Sequence, residues 1–384
     1  MNWKAKPLGS CIEVFDSCRR PVTKKDRVLG PYPYYGASGI VDYVDSYIFE
    51  GLHVLVAEDG ENLRSRKLPI AYLADGRFWV NNHAHVLRAN DENDTRFLSY
   101  MIESLDLSGF ITGSTQPKLS QAALLSIPLR LPKLAEQRRI AGVLGVLDDK
   151  IESNREQQHL GEQLVRALIE RIIDQFSGAD FTTLDAYCTH LKESVQPENL
   201  VSGDKYIALE HMPRGSVFLN SWANAEHAGI SSNKTRFRQG DLLFGKLRPY
   251  FKKVGVAPVA GVCSTDILVV RPRLQEFLPL ITVVASSDAL INAVSASATG
   301  TRMPRASWKD ISKWPVPRIA DETLITLLQP ANQLIAFSQA LSFQNIRLAE
   351  VRDALLPELM SGRMRVDEAG CLVSEALDEE VRSV

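Results

Sequence analysis

Apolar residues along this chain recur with two different periods, and the two periods alternate. Short β-rich runs punctuated by Gly and Asp come first: "YIFEGLHVLVAEDG" from Tyr47, "RKLPIAYLAD" from Arg66 and "RFWVNNHAHVLRA" from Arg77. Steps of four and three then pass through Ile140, Leu144, Leu147, Ile151, Asn154, Gln158, Gly161, Val165, Leu168 and Ile172. That is the spacing of a heptad seam and predicts a long helix over 134–177. Strand-like runs return in "DKYIALEHM" from Asp204, "GDLLFGKL" from Gly240 and "GVCSTDILVVRP" from Gly261. A second seam follows through Leu324, Leu327, Ala331, Leu334, Ser338, Leu341, Asn345, Leu348, Arg352 and Leu355, predicting a helix over 320–361. Pro330 predicts a kink or a helix start inside it. Both seams are partly polar at mid-length, so Asn154 and Asn345 are expected to fix the register of a helix pair at some cost in stability.

The expected fold is therefore α+β. Two strand-rich globular domains, 1–133 and 178–319, are separated by two long antiparallel helices forming a coiled coil, with 362–384 as a C-terminal tail. A helix of ~33 residues is roughly 50 Å long, so the packed pair would form a rod holding the globules apart.

The order globule, helix, globule, helix suggests duplication. "GSTQPKLSQAALLSIPL" from Gly113 aligns without a gap to "GTRMPRASWKDISKWPV" from Gly300. Gly113/Gly300, Pro117/Pro304, Ser120/Ser307 and Pro128/Pro315 coincide, while Ser114/Thr301 and Lys118/Arg305 match in chemistry. Such a chain has an internal pseudo-twofold repeat. It is laid out like a homodimeric DNA reader in which each half can diverge to read different bases.

Charge sharpens that picture. The net charge is −2, but 178–319 hold 17 Lys/Arg against 12 Asp/Glu, and 1–133 hold 16 against 15. The helical segments are acidic: 6 against 8 over 134–177, and 5 against 11 over 320–384. A polyanion would meet the globules, not the helices. The five cysteines, Cys11, Cys18, Cys188, Cys263 and Cys371, form no CxxC or Cys/His ladder. They fit free thiols in a cytoplasmic protein and argue against structural zinc. No apolar run approaches the ~20 residues of a membrane span.

"GDLLFGKLRPY" over 240–250 imitates a phosphate-binding loop, with Gly240, Gly245 and Lys246 at the required spacing. Leu247 stands where a magnesium-binding hydroxyl belongs, and Pro249 opposes the helix that should begin at the lysine. The stretch reads better as a hairpin bearing Lys246, Arg248, Tyr250 and Lys252, with Lys234 and Arg236 upstream: cations and an aromatic hydroxyl for a phosphate backbone. In "NNHAH", His83 and His85 lack an evident third metal ligand, and no metal site is expected. Asn81, Asn82 and His83 read instead as hydrogen-bonding side chains that can reach base edges or support a loop. The repeated Gly–Pro loop offers Ser114, Gln116, Lys118, Arg302 and Arg305 as the main base-reading candidates. No methyltransferase, nuclease, hydrolase or kinase motif accompanies them, so no catalytic residue is expected. A protein-interaction scaffold is the competing class; a nucleotide-using enzyme would need the loop that Leu247 and Pro249 disrupt.

The motifs, in order, resemble the specificity subunit of type I restriction–modification enzymes. They are "PYYGASGIVDYVDSYIFEGLHVLVAEDG", "WVNNHAHVL", "GSTQPKLS", "IPLRLPKLAEQRRIAGVLGVLDDKIESN", "YIALEHM", "RFRQGDLLFGKLRPYFKKV", "GVCSTDILVVRP" and "LLPELMSGRMRV". The resemblance implies two target-recognition domains, each reading half of a bipartite site in double-stranded DNA, and two docked methyltransferase subunits joined by motor–nuclease subunits. It implies a non-catalytic chain; S-adenosylmethionine, ATP and magnesium would belong to the partners. On this resemblance Glu136, Gln137 and Arg138 are partner contacts, and the chain serves phage defence, either in a restriction system or as specificity factor of a related defence system.

Overall fold

The computed structural model describes residues 4–297 and 304–381, which leaves the candidate Arg302 outside the described residues. Two compact units emerge, Met1–Asp149 with Ala349–Ser383, and Lys150–Leu348.

In the first unit, a four-stranded antiparallel sheet runs in the order Ile12–Val14, Ala84–Ala89, His53–Ala57, Ala71–Ala74. His53–Ala57 is buried at every position. Its unbroken "HVLVA" is what a strand covered on both faces requires. A second sheet orders Gly39–Val44, Tyr32–Gly36, Arg77–Val80 and Phe49–Glu50, with the central pair parallel. Leu55, Ala74, Phe78, Val80 and Val86 fill the core, where Phe49 stacks on Phe78 at 5.5 Å between centroids. The helix Thr95–Ser104 starts at Asp94, whose carboxylate accepts from Phe97 N at 2.9 Å, and it buries Phe97, Leu98, Met101 and Ile102. Lys4–Pro7 pairs with Pro128–Leu131, which brings the chain out of the body just before the first long helix.

The second unit repeats the scheme. Cys188–Leu191, Ile267–Pro272, Leu242–Gly245 and Val254–Val256 form an antiparallel sheet. A five-stranded sheet orders Ser194–Val195, Lys234–Phe237, Gly261–Cys263, Lys205–Ile207 and Ala223–Asn224. Phe181–Thr183 pairs with Pro315–Pro317, as Lys4–Pro7 does with Pro128–Leu131. The helix Leu278–Ser286 is buried along its whole length. It packs in the core with Leu290, Ile291 and Val294 of the next helix. Among the described residues no single helix is long and apolar enough to cross a membrane.

The long helices span Leu134–Gln175 and Asp321–Ser361. They run antiparallel, because partners descend on one as they ascend on the other. Within the second unit, Asn154 Nδ2 donates to Asn345 Oδ1 at 2.9 Å, Gln158 Nε2 to Ser342 Oγ at 2.6 Å and to Ser338 O at 2.7 Å. A Cβ on Gly161 would come within 2.8 Å of Ser338 Oγ, so glycine permits the approach. Within the first unit Arg352 continues the series to Asp148 at 2.8 Å.

The expected seam holds through its middle and slips at one end. Ile169, Leu328 and Ile335 are buried in place of the expected Leu168, Leu327 and Leu334. There the helices pack on the strand-rich core as well as on each other, and a wider apolar face rotates toward it. Pro330 starts no helix; the second helix begins at Asp321 and runs through it. Leu324, Leu328, Ala331 and Ile335 are all buried, and that packing outweighs one missing backbone bond. The segment 362–384, expected as a tail, carries a helix, Val366–Val381. It buries Val366, Ala369, Val373 and Ala376, a helical stripe in an otherwise acidic segment.

Candidate nucleic-acid interface

In the first unit the Gly–Pro loop is an exposed turn closed at its neck. Thr112 and Lys118 exchange two backbone bonds of 2.8 Å. Gly113 takes φ +84°, and a Cβ there would lie 2.2 Å from Gln116 O, so this turn demands glycine. Ser114 and Gln116 are exposed. Gly60 N donates to Pro117 O at 3.1 Å, Leu119 N to Glu58 O at 2.8 Å and Glu58 N to His83 O at 2.9 Å. Loop 113–118, the turn at Asn82–His83 and the segment 58–60 therefore form one surface. Asn82 is exposed. His83 Nδ1 lies 2.8 Å from Asp59, and its N–H donates to Asn81 Oδ1 at 2.7 Å.

Beneath this surface lies a half-buried ionic cluster around the buried His85. His85 faces Asp16 at 2.6 Å through Nδ1 and Leu119 O at 2.9 Å through Nε2. Arg19 pairs with Glu58 at 2.7 Å and Asp16 at 3.5 Å, and Lys118 reaches Glu58 at 3.3 Å. Burial opposes ionisation of Asp16 and Glu58, but bonds from His85 to Asp16 and from Arg19 to Glu58 hold both carboxyls below their usual range. The two histidines of "NNHAH" do not converge: His83 is exposed, and His85 is buried against Asp16.

The second unit builds the same frame from different side chains. Ala306 N donates to Lys246 O at 2.9 Å, Arg248 N to Pro304 O at 2.9 Å and Lys246 N to Asp266 O at 2.8 Å. These bonds repeat those of Leu119, Gly60 and Glu58 one for one. Ser120 and Ser307 each cap the short helix that follows, accepting from Ala123 N at 3.2 Å and Asp310 N at 3.3 Å. Lys246 thus stands where the first unit has Glu58, Arg248 where it has Gly60, and Arg305 where it has Lys118. No phosphate-binding loop forms: the Lys246 and Arg248 N–H groups are bonded within the chain, and only the three-residue turn Pro249–Phe251 follows.

The remaining basic candidates divide. Lys246 and Arg248 are half-buried and make no side-chain ion pair among the described residues, and Tyr250 is exposed. Arg305 pairs with Asp266 at 3.2 Å, and Lys252 with Asp288. Lys234 and Arg236 do not join them; they lie on an inner strand of the five-stranded sheet. Lys234 is buried, donates to Ser232 O at 2.8 Å, and has its pKa lowered by burial. Arg236 holds Asp204 through bonds of 2.9 and 3.2 Å. Their charges serve the fold, because polar groups taken from water need local partners.

Comparisons with known proteins point to one family. The family model "Type I restriction modification DNA specificity domain" matches residues 1–160. The Escherichia coli type I restriction enzyme EcoDI specificity subunit is 20% identical across 92% of this chain and 86% of its own. The MjaIX specificity subunit of Methanocaldococcus jannaschii is 22% identical across 96% and 94%. The N-terminal part of this chain is thus similar to type I restriction–modification specificity domains. A Haemophilus influenzae relative, named as specificity subunit S.HindORF215P, is 38% identical over 148 residues, 37% of its length. The solved type I restriction–modification S subunit of M. genitalium shares the fold, with a TM-score of 0.58 at 15% identity over 93% of this chain and 96% of that one.

The partner candidates stand on the first turn of the first long helix. Arg138 is exposed, and Glu136 pairs with Arg139 at 3.1 Å. Gln137 is buried, accepts from Asp94 N at 2.9 Å and donates to Asn93 Oδ1 at 2.9 Å, so it ties the helix to its own body. Sequence reasoning missed Arg64, whose guanidinium donates to Ser114 O at 3.0 Å and to Gly113 O across 49 residues. It also missed Arg214, which lies 3.9 Å over the Phe251 ring beside Tyr250. The basic run "RSRK" at 64–67 was the only signal for the first; contacts so distant in sequence leave none.

Proposed function

We propose that this chain is the non-catalytic specificity subunit of a type I restriction–modification enzyme, reading a bipartite double-stranded DNA target with one half-site per strand-rich body. The observation carrying this reading is the repeated frame. Two bodies present the same backbone scaffold around Lys118 and Arg305 while the neighbouring side chains change from Glu58 and Gly60 to Lys246 and Arg248. Divergence of side chains on a shared backbone frame suits reading two different base sequences.

On this reading Ser114, Gln116, Asn82 and His83 face one half-site. Arg305 faces the other, while Lys246, Arg248 and Tyr250 supply phosphate contacts there. Glu136 and Arg138 contribute to docking of two methyltransferase subunits, with motor–nuclease subunits joining them. S-adenosylmethionine, ATP and magnesium then act in those partners. The relatives' names, all specificity subunits of restriction enzymes, support the assignment.

Gel-shift binding by the chain assembled with its methyltransferase partner tests it. The expected result is preference for one bipartite sequence over scrambled DNA by a factor of roughly 10³ or more, with affinity falling steeply as salt rises. Equal affinity for every sequence would contradict it.

A further inference from the structure

The first Gly–Pro loop projects exposed side chains from a turn only a few residues long, so reading bases requires something to hold its backbone. Thr112 and Lys118 close its neck, and Arg64 holds the carbonyls just beyond it. Its guanidinium reaches from the short helix Asn62–Ser65 and donates to Gly113 O and Ser114 O, the carbonyls at the base of the loop. A planar fork satisfying two adjacent carbonyls fixes their orientation in a way that a point charge cannot.

The bracket holding Arg64 is itself rigid. Asn62 spans Leu68, donating to its carbonyl at 2.9 Å and accepting from its N–H at 2.9 Å. Arg66 is held in a left-handed conformation, φ 45°, with its guanidinium donating to Glu103 O and Leu105 O. A non-glycine residue persists there only where its surroundings over-determine it. The second body differs in the equivalent segment: Lys252, the cation after the turn Pro249–Phe251, pairs with Asp288 instead.

We infer that Arg64 is a positioning residue for sequence recognition, acting through the Gly113–Gln116 loop on one half-site only. This rests on the DNA-specificity reading and adds to it a residue that need not touch a base. Arg64 is itself exposed and cationic, so direct phosphate contact is the rival role, and the two roles leave different signatures.

The experiment uses the chain assembled with its methyltransferase subunits and four duplexes: the full target, the target scrambled in either half, and the target scrambled in both. Wild type, Arg64→Ala and Arg64→Lys are compared across a salt series. Arg64→Ala is expected to lower discrimination at the first half-site by roughly tenfold, the loss of a misplaced base contact. Discrimination at the second half-site and the salt slope should stay unchanged. Arg64→Lys, which keeps the charge but loses the fork, should be impaired at the same half-site. Uniform weakening on all four duplexes with a shallower salt slope would instead make Arg64 a phosphate anchor. Unchanged discrimination at both halves, or equal loss at both, would also overturn the proposal. If wild type itself distinguishes none of the duplexes, the DNA-specificity reading fails rather than the role of Arg64.

Discussion

Glu58 and Lys246 occupy one place in two copies of one frame, and everything around them adjusts to the difference in charge. Where Glu58 stands, Arg19 and Lys118 close in at 2.7 and 3.3 Å, and the buried His85–Asp16 pair supports the floor. Where Lys246 stands, its half-buried cation and that of Arg248 make no ion pair among the described residues, and the Asp266 carboxylate of the adjoining turn is held by Arg305. The first cluster makes stability depend on pH. Burial tends to raise the Asp16 pKa, but the bonds from His85 and Val86 N and the nearby Arg19 charge outweigh it and hold the carboxyl below its usual value. A carboxyl lowered in the folded state stabilises it fully above the unfolded value, about 3.9, and loses that contribution as pH falls through the folded value. Asp16→Asn is therefore expected to be destabilised at pH 7, with the deficit shrinking below about pH 4, as read by urea denaturation at each pH. A deficit that stays constant down to acid pH would show that Asp16 acts through packing alone.

At the scale of elements, the long helices were legible because their seams repeat over four heptads, and only a helix turns residues at that spacing onto one face. What the pattern could not show is where a helix meets a globular core as well as its partner, which moved burial from Leu327 and Leu334 to Leu328 and Ile335. The strands were legible from apolar runs such as "HVLVA", but which basic side chains remain available was not. Lys234 and Lys246 read alike in sequence, each a cation beside a strand; only the fold shows that Lys234 is buried and Lys246 stands at the rim. The polar layer at Asn154 and Asn345 is the helices' most specific contact. Asn154→Leu alone strands Asn345 Oδ1 and should cost about 1–3 kcal/mol. Replacing both by leucine should recover most of that, giving a coupling of about 0.5–3 kcal/mol in a double-mutant cycle of urea denaturation. Strictly additive effects would mean that the two amides do not act as a pair.

At the scale of the whole molecule, a duplicated layout goes together with an uneven charge. The bodies carry the basic excess, the helices the acidic one, and the same hydrogen-bonded frame recurs in each half. Each body should therefore read its own half-site independently of the other. Mapping methylated adenines genome-wide, in cells expressing the partner subunits with either the wild-type chain or Gln116→Ala, tests that claim most directly. Methylated sites from the variant are expected to lose base preference in one half of the target while the other half stays as in the wild type. A variant map altered in both halves together, or a wild-type target that is one uninterrupted sequence, would contradict it.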